Sequence, residues 1–337
     1  MNEHDTSTVV SGDRARRALA EGLLCARALT PDSLTRATAL LAWRLFVVRV
    51  LADRGIEPAV ALDADLHDAD GATGTNLRIR DAMERCRQAV PGVFDQALPS
   101  GYAEHGTLPL REGTLRAAAA ALRKPAAELA PGRFYESLLG CGFRREGAAP
   151  RVVRCRGTAR SRGAFYTPAP VVEAILDDTL RKQVADSAPV RVLDPCCGAG
   201  AFLIPALTRL LARGKTGATR DCGVVTVLRD SIFGVDIDPL AVEACRLGLA
   251  LQALGAQEDS DHGVSEMWDE MSCVLPHNIR CGDALDGEGR VSSVEGQGTV
   301  CVTGGPAALR CVPGNLSPVR SPAFGRFWCI GASFTPR

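Results

Sequence analysis

Three aspartates, Asp194, Asp236 and Asp283, each stand at the end of a short apolar run, and the first opens the turn D-P-C-C-G-A-G-A-F. Ligands in doubly wound sheets bind beyond the carboxyl ends of the strands. Gly198 and Gly200 remove side chains at this turn, so a ligand can approach the backbone. The pattern has an acid in front and lacks the third spaced glycine of the dinucleotide fingerprint G-x-G-x-x-G. Asp194 therefore favours a cationic or amino-bearing group over a pyrophosphate. Asp236 is placed to accept hydrogen bonds from ribose hydroxyls, and Asp283 from an exocyclic amine. As a set the three acids suit S-adenosylmethionine, whose amino acid part, ribose and adenine each gain a partner. Singly, each has a plainer use. Asp194 serves as a helix cap, Asp236 and Asp238 as strand-end caps, and Asp283 as a turn residue.

The elements that must position them alternate. "VRVLD", "SIFGVDI" and "HNIRCGDAL" read as strands, and "AFLIPALTRLLARG" and "PLAVEACRLGLALQALG" as helices. Such alternation predicts an α/β fold with a parallel, doubly wound sheet. Residues 13–130 read instead as mainly helical. "DRARRALAEGLLCARAL" is one helix, and Pro31-Asp32-Ser33 marks a stop and a new cap. The next helix, "LTRATALLAWRLFVVRVLADRGI", is apolar nearly all round and should be buried, with Gly55 at its C-cap. Residues 63–75 read as a loop, and a further helix after Arg111 is stopped by Pro125. A short helix surrounds Tyr135, and another runs from about Pro170 to Lys182. Between them Arg151, Arg154, Arg156, Arg160 and Arg162 read as a loop, either solvated or contacting phosphate.

The formal net charge is zero, so no global field draws the chain to nucleic acid; any such contact needs a local basic patch. Thirteen cysteines without a C-x-x-C pair and five scattered histidines offer no zinc-ligand spacing, so no metal is expected. The polar start "MNEHDTSTVV" is no signal peptide, and the apolar stretches are too short for a bilayer. The expectation is a cytoplasmic protein with reduced cysteines in its core and no membrane partner. Only Lys124, Lys182 and Lys215 are lysines, which with the many Ala and Gly points to a GC-rich gene. None of the three stands in the D…(D/E)-x-K context of a nuclease.

As a set these motifs resemble N6-adenine-specific DNA methyltransferases of the large restriction–modification or phage-defence type. "GAFYTP" resembles the family's Y-T-P segment, which lies against the methionine part of the cofactor, and brings in Tyr166 and Thr167. "LDPCCGAGAFL" resembles its cofactor loop D-P-x-C-G-x-G-x-F-L and adds Cys196 and Phe202 to Asp194, Gly198 and Gly200. "FGVDIDPLAVEACRLGL" resembles its ribose-binding strand and helix, with Asp236 and Ile237. "NIRCGDAL" resembles its adenine-contacting turn, with Asp283 and Ala284. "GRFYESLLG" and "LLAWRLFVVRVLADRGI" resemble segments upstream of the methylase core. The resemblance covers roughly residues 35–286. It implies a Rossmann-like, S-adenosylmethionine-dependent methyltransferase sheet behind a helical N-terminal domain. The implied substrate is adenine in duplex DNA.

The family's catalytic signature, Asn-Pro-Pro followed by Tyr or Phe, is not in the sequence. In that signature the flipped adenine stacks on the ring, while the carboxamide and a proline carbonyl accept from its amine. "TVCVTGGPAALR" lies where the fourth strand and signature belong, and Asn315 keeps an amide without the adjoining residues. Residues 287–337 hold nine Gly and five Pro but only two acids, Glu288 and Glu295. They are expected to be an irregular tail, out of frame or decayed, leaving the sheet incomplete. The expected organisation is a helical domain over 1–130, the first half of the methyltransferase domain over 131–286, and the tail. The functional expectation is adenine N6 methylation in DNA, impaired by loss of the signature. One alternative is a non-catalytic cofactor-binding or DNA-defence module completed by a partner subunit or the missing C-terminal part. The other is a methyltransferase acting on protein or small molecules.

Overall fold

The computed structural model describes residues 3–23, 30–57, 59–67, 83–88, 92–93, 110–122, 130–146, 149–154, 167–181, 190–214, 223–256, 263–282, 284, 319–321 and 325–329. The chain divides into two compact units, Met1–Phe165 and Tyr166–Arg337.

The first unit contains α1 (Glu3–Gly22), α2 (Pro31–Ala52), α3 (Ala59–His67), α4 (Thr114–Ala120), α5 (Pro131–Leu139) and the hairpin β1 (Cys141–Glu146) to β2 (Ala149–Arg154). The central helix α2 begins where the sequence places a stop and a cap. Thr30 Oγ1 accepts from the Ser33 N–H at 3.1 Å, and Pro31 occupies the first turn, where its missing donor costs nothing. The helix ends in a Schellman turn. Ile56 N–H donates to Leu51 O, Gly55 N–H donates to Ala52 O, and Gly55 takes the left-handed φ of +71°. Between these caps thirteen residues are buried, as its all-round apolar pattern predicts. Phe46 stacks on Phe134 of α5 at 4.2 Å between centroids, with Trp43 at 5.5 Å from Phe46.

Two expectations change in this unit. Residues 63–67 belong to α3 rather than to a loop, because the Ala- and Leu-rich run "AVALDADLH" continues the helix. Asp63 is tied there by Arg49 at 3.2 Å. Arg151 and Arg154 lie in β2 rather than in an arginine loop. Val152 and Val153 favour the pleated conformation and pair with Phe143 and Gly142. Arg156, Arg160 and Arg162 fall outside the described residues, as does Pro125.

The second unit contains α6 (Ala169–Arg181), β3 (Val192–Asp194), α7 (Leu203–Gly214), α8 (Val224–Ser231), β4 (Ile232–Asp236), α9 (Pro239–Gly255), α10 (Val264–Asn278), β5 (Ile279–Cys281), β6 (Val319–Ser321) and β7 (Gly325–Cys329). Its sheet runs β5-β4-β3-β7-β6, with β3, β4, β5 and β7 parallel and β6 antiparallel to β7. The expected helices and strands over 169–281 form where the pattern places them. Helices α8 and α10 were not anticipated. "VVTVLRDS" is β-branched, yet Val225 and Leu228 are buried three residues apart on one helical face. α10 ends through Asn278, whose amide donates to the carbonyls of Leu228, Arg229 and Ile232. Arg246 of α9 is buried and donates twice to Ile279 O, anchoring β5.

The tail differs from its expectation. It supplies β6 and β7, and β7 pairs with β3, so the edge of β3 expected to be open is covered. The stretch 299–310, where the fourth strand was placed, lies outside the described residues. Among the described residues no helix is long and apolar enough to cross a membrane.

Candidate cofactor site

Strand β3 ends at Asp194, and the next eight residues turn the chain into α7. This turn is stitched to its neighbours by the backbone. Cys197 N–H donates to Val235 O at 2.9 Å, and Gly200 N–H to Cys197 O at 2.9 Å. Gly198 and Gly200 have φ of +51° and +88°, which side chains rarely tolerate. A Cβ at Gly200 would stand 3.0 Å from Cys245 Sγ of α9 and 3.1 Å from Ile204.

Asp236, at the end of β4, clamps the turn. Its Oδ2 accepts from the Gly198 N–H at 2.7 Å, and its Oδ1 from the Asp238 N–H at 2.9 Å. The Gly282 N–H after β5 donates to Asp236 O at 2.9 Å, so three strand ends converge on one aspartate. Asp238 is a helix cap, accepting from the Leu240 N–H at 2.9 Å ahead of Pro239 in α9.

Asp194 is 1% exposed. Its Oδ1 accepts from the Cys196 N–H at 3.1 Å, while its Oδ2 is buried and has no hydrogen-bond partner among the described residues. Burial pushes its carboxyl up to about 7; the Cys196 N–H works against this and the Asp236 charge works with it. Asp236 is also raised by burial, opposed by the N–H groups of Asp238 and Gly198. Beneath the turn, a hydrogen bond with the Cys245 thiol and burial together raise the Cys197 thiol.

Asp194 makes folding stability depend on pH. The folded chain keeps this proton where the unfolded chain has lost it, so its contribution is full below about pH 4. It falls as the pH rises and is gone above about 7. The loss is at most about 4 kcal/mol. Asp194→Asn should flatten that limb of the denaturant-midpoint profile. Parallel profiles for parent and variant between about pH 4 and pH 8 would refute the assignment.

The structure brings Asp194, Gly198, Gly200 and Asp236 together. Cys196 is exposed in the turn, Thr167 is half-buried before α6, and Ala284 is half-buried after β5. Ile237 is 68% exposed, an unusual state for isoleucine beside a buried aspartate. Phe202 is buried in the core at the start of α7. Tyr166, Asp283 and Asn315 lie outside the described residues. The sequence reading missed the Cys197–Cys245 contact; no local signal joins residues so far apart. Among the described residues no group of three or more His, Cys, Asp or Glu could hold a metal ion.

A D-P-x-C-G-x-G turn clamped by an acid from the next strand invites comparison with methylases. Residues 154–268 match the N-6 DNA Methylase family. The resemblance to N6-adenine DNA methyltransferases read from the motifs is borne out over this stretch. "Adenine-specific methyltransferase PglX" of Streptomyces coelicolor is 32% identical over 125 residues, 36% of this chain and 10% of that protein. "Type I restriction enzyme MjaIX methylase subunit" of Methanocaldococcus jannaschii is 30% identical over 128 residues, 38% of this chain and 18% of that protein. The Type IIL restriction–modification enzyme MmeI, solved in complex with DNA, overlays with a TM-score of 0.47 at 13% identity. That overlay covers 83% of this chain and 40% of the other. The match to the two curated methylases thus spans less than a fifth of either one's length.

Proposed function

We propose that this chain carries the cofactor-holding half of an S-adenosylmethionine-dependent adenine-N6 DNA methyltransferase serving restriction–modification or phage defence in the cytoplasm. The observation that carries this reading is the buried Asp194, with an unfilled acceptor, set behind a glycine turn that Asp236 clamps. An orphaned buried oxygen fits an ammonium donor. Asp194 would receive the amino acid part of the cofactor, with Tyr166 and Thr167 alongside. Asp236 keeps acceptor capacity for a ribose hydroxyl, since three backbone N–H groups, of Gly198, Asp238 and Ile237, engage a carboxylate with about four lone-pair sites. The exposed Ile237 offers an apolar face to adenine, and the motif resemblance adds Asp283 and Ala284 as its further contacts. Gly198, Gly200 and Cys196 shape the turn, and Phe202 supports it from below. When bound, the cofactor supplies an electrophilic methyl group.

In this reading the sheet is Rossmann-like, the helical segment 1–130 precedes it, and 131–286 is the first half of the methyltransferase domain. The Asn-Pro-Pro-aromatic signature is not in this sequence, and Asn315 is a weak substitute for it. Adenine capture in duplex DNA is therefore assigned to residues of a partner subunit or of a further C-terminal part. The same feature favours a second reading, a cofactor-binding defence module without catalysis of its own.

Calorimetry with S-adenosylhomocysteine tests the site. Asp236→Ala should weaken binding tenfold to a hundredfold, about 1–3 kcal/mol, and Asp236→Asn, which keeps an acceptor, should lose less. Equal affinity of Asp236→Ala and parent would count against the site. Labelled S-adenosylmethionine with duplex DNA tests the division of labour. The chain alone should leave adenine unlabelled, and labelling would sink the need for a second set of residues.

A further inference from the structure

We propose that Asp194 holds a proton in the free chain and releases it when the ammonium group of an S-adenosyl ligand docks beside it, making cofactor capture proton-coupled. This rests on the reading of the turn as an S-adenosylmethionine site. The geometry supplies the reason. Asp194 is 1% exposed, and among the described residues only the Cys196 N–H donates to its carboxyl and none meets Oδ2. An ionised carboxylate with a bare buried oxygen is expensive.

The groups around it make ionisation harder. Asp236 on β4 is the charged neighbour, of the same sign, and its own oxygens are engaged by Gly198 and Asp238 N–H groups. From the turn Cys197 and from α9 Cys245 add buried thiols, and the hydrogen bond between them together with burial opposes ionisation of Cys197. A proton on Oδ2 removes the charge in the free chain. An arriving ammonium brings both donors and the opposite charge, and the carboxyl proton then passes to solvent. The balance is a carboxylic acid and an ammonium going to a carboxylate–ammonium pair and one proton taken up by buffer. The ligand keeps its charge and nothing is oxidised or reduced.

The test is calorimetry of the full 337-residue chain with S-adenosylhomocysteine, in buffers of differing ionisation enthalpy, at about pH 6 and about pH 8. Close to one proton should be released per ligand at the lower pH and almost none at the higher. Affinity should be about tenfold weaker at the lower pH. Methylthioadenosine, which lacks the amino acid part, should bind with no release. Asp194→Asn should abolish the release, and the buffer series on the parent decides the matter even if that variant fails to fold. S-adenosylhomocysteine binding with no proton exchange at either pH overturns this inference and leaves the site standing. Failure of both ligands to bind overturns the site and the inference together.

Discussion

Gly200→Val should abolish binding of S-adenosylhomocysteine while Gly198→Ala only weakens it. Gly200 has φ of +88°, and a left-handed conformation costs an ordinary residue about 1–2 kcal/mol and a β-branched one more. Its Cβ would also press on Cys245 Sγ at 3.0 Å and on Ile204 at 3.1 and 3.2 Å. Overpacking of this kind costs about 1–3 kcal/mol. The turn can relieve both by swinging off α9, which breaks the Gly200 N–H to Cys197 O bond and moves the start of α7. Gly198 has φ of +51° and nothing within 4 Å of its Cβ position, so alanine there meets only the backbone cost. Thermal midpoints and calorimetry on both variants check the order. Equal losses would show that crowding against Cys245 and Ile204 contributes nothing.

Arg16→Ala should be the most damaging single change in the first unit, at about 3–5 kcal/mol. Arg16 is fully buried on α1. It donates to Leu138 O at 3.0 Å, to Thr35 O at 3.2 Å and to Thr38 Oγ1, and its guanidinium lies 5.4 Å from the Phe143 ring centre. One side chain thus joins α1, α2, α5 and β1. Truncation removes the Arg16 donor from the Leu138 carbonyl and opens a cavity beside Phe143. Arg16→Lys keeps the charge without the planar fork and should recover only part of the loss. Denaturant melts of the three proteins decide it. A change within 1 kcal/mol of parent for Arg16→Ala would mean the network is dispensable.

Much of the second unit was legible in the sequence because its signals are local. Strand-length apolar runs, a turn with two glycines, and Asp-Pro before α9 each declare themselves within a few residues. The clamp was half legible. Asp236 was placed correctly at a strand end, but its grip on the Gly198 N–H is a contact across 38 residues. The unfilled oxygen of Asp194 was not legible at all, since burial on all sides is a property of the assembled sheet. The same holds for Arg16, which reads in "DRARRALAEG" as one more solvent-facing arginine. α8 was missed because its valines favour strands when taken alone and helix only when packed. β2 was not legible because only two β-branched residues, Val152 and Val153, stand among its arginines and proline, and its pairing with β1 is a tertiary contact.

The pairing of β3 with β7 has a consequence for synthesis. Val192 is made long before its partner Trp328, and β7 is the direct neighbour of β3 on that side of the sheet. At ribosomal rates of about 5–20 residues per second, the partner strand follows on the order of ten seconds later. During that interval β3, β4 and β5 can dock with their helices, yet one flank of the nascent sheet offers bare backbone donors and acceptors. Closure then requires a loop of more than a hundred residues, a long-range contact that slows folding. The turn that Asp236 clamps is complete before this closure, whereas the strand that seals its flank emerges more than a hundred residues after β3.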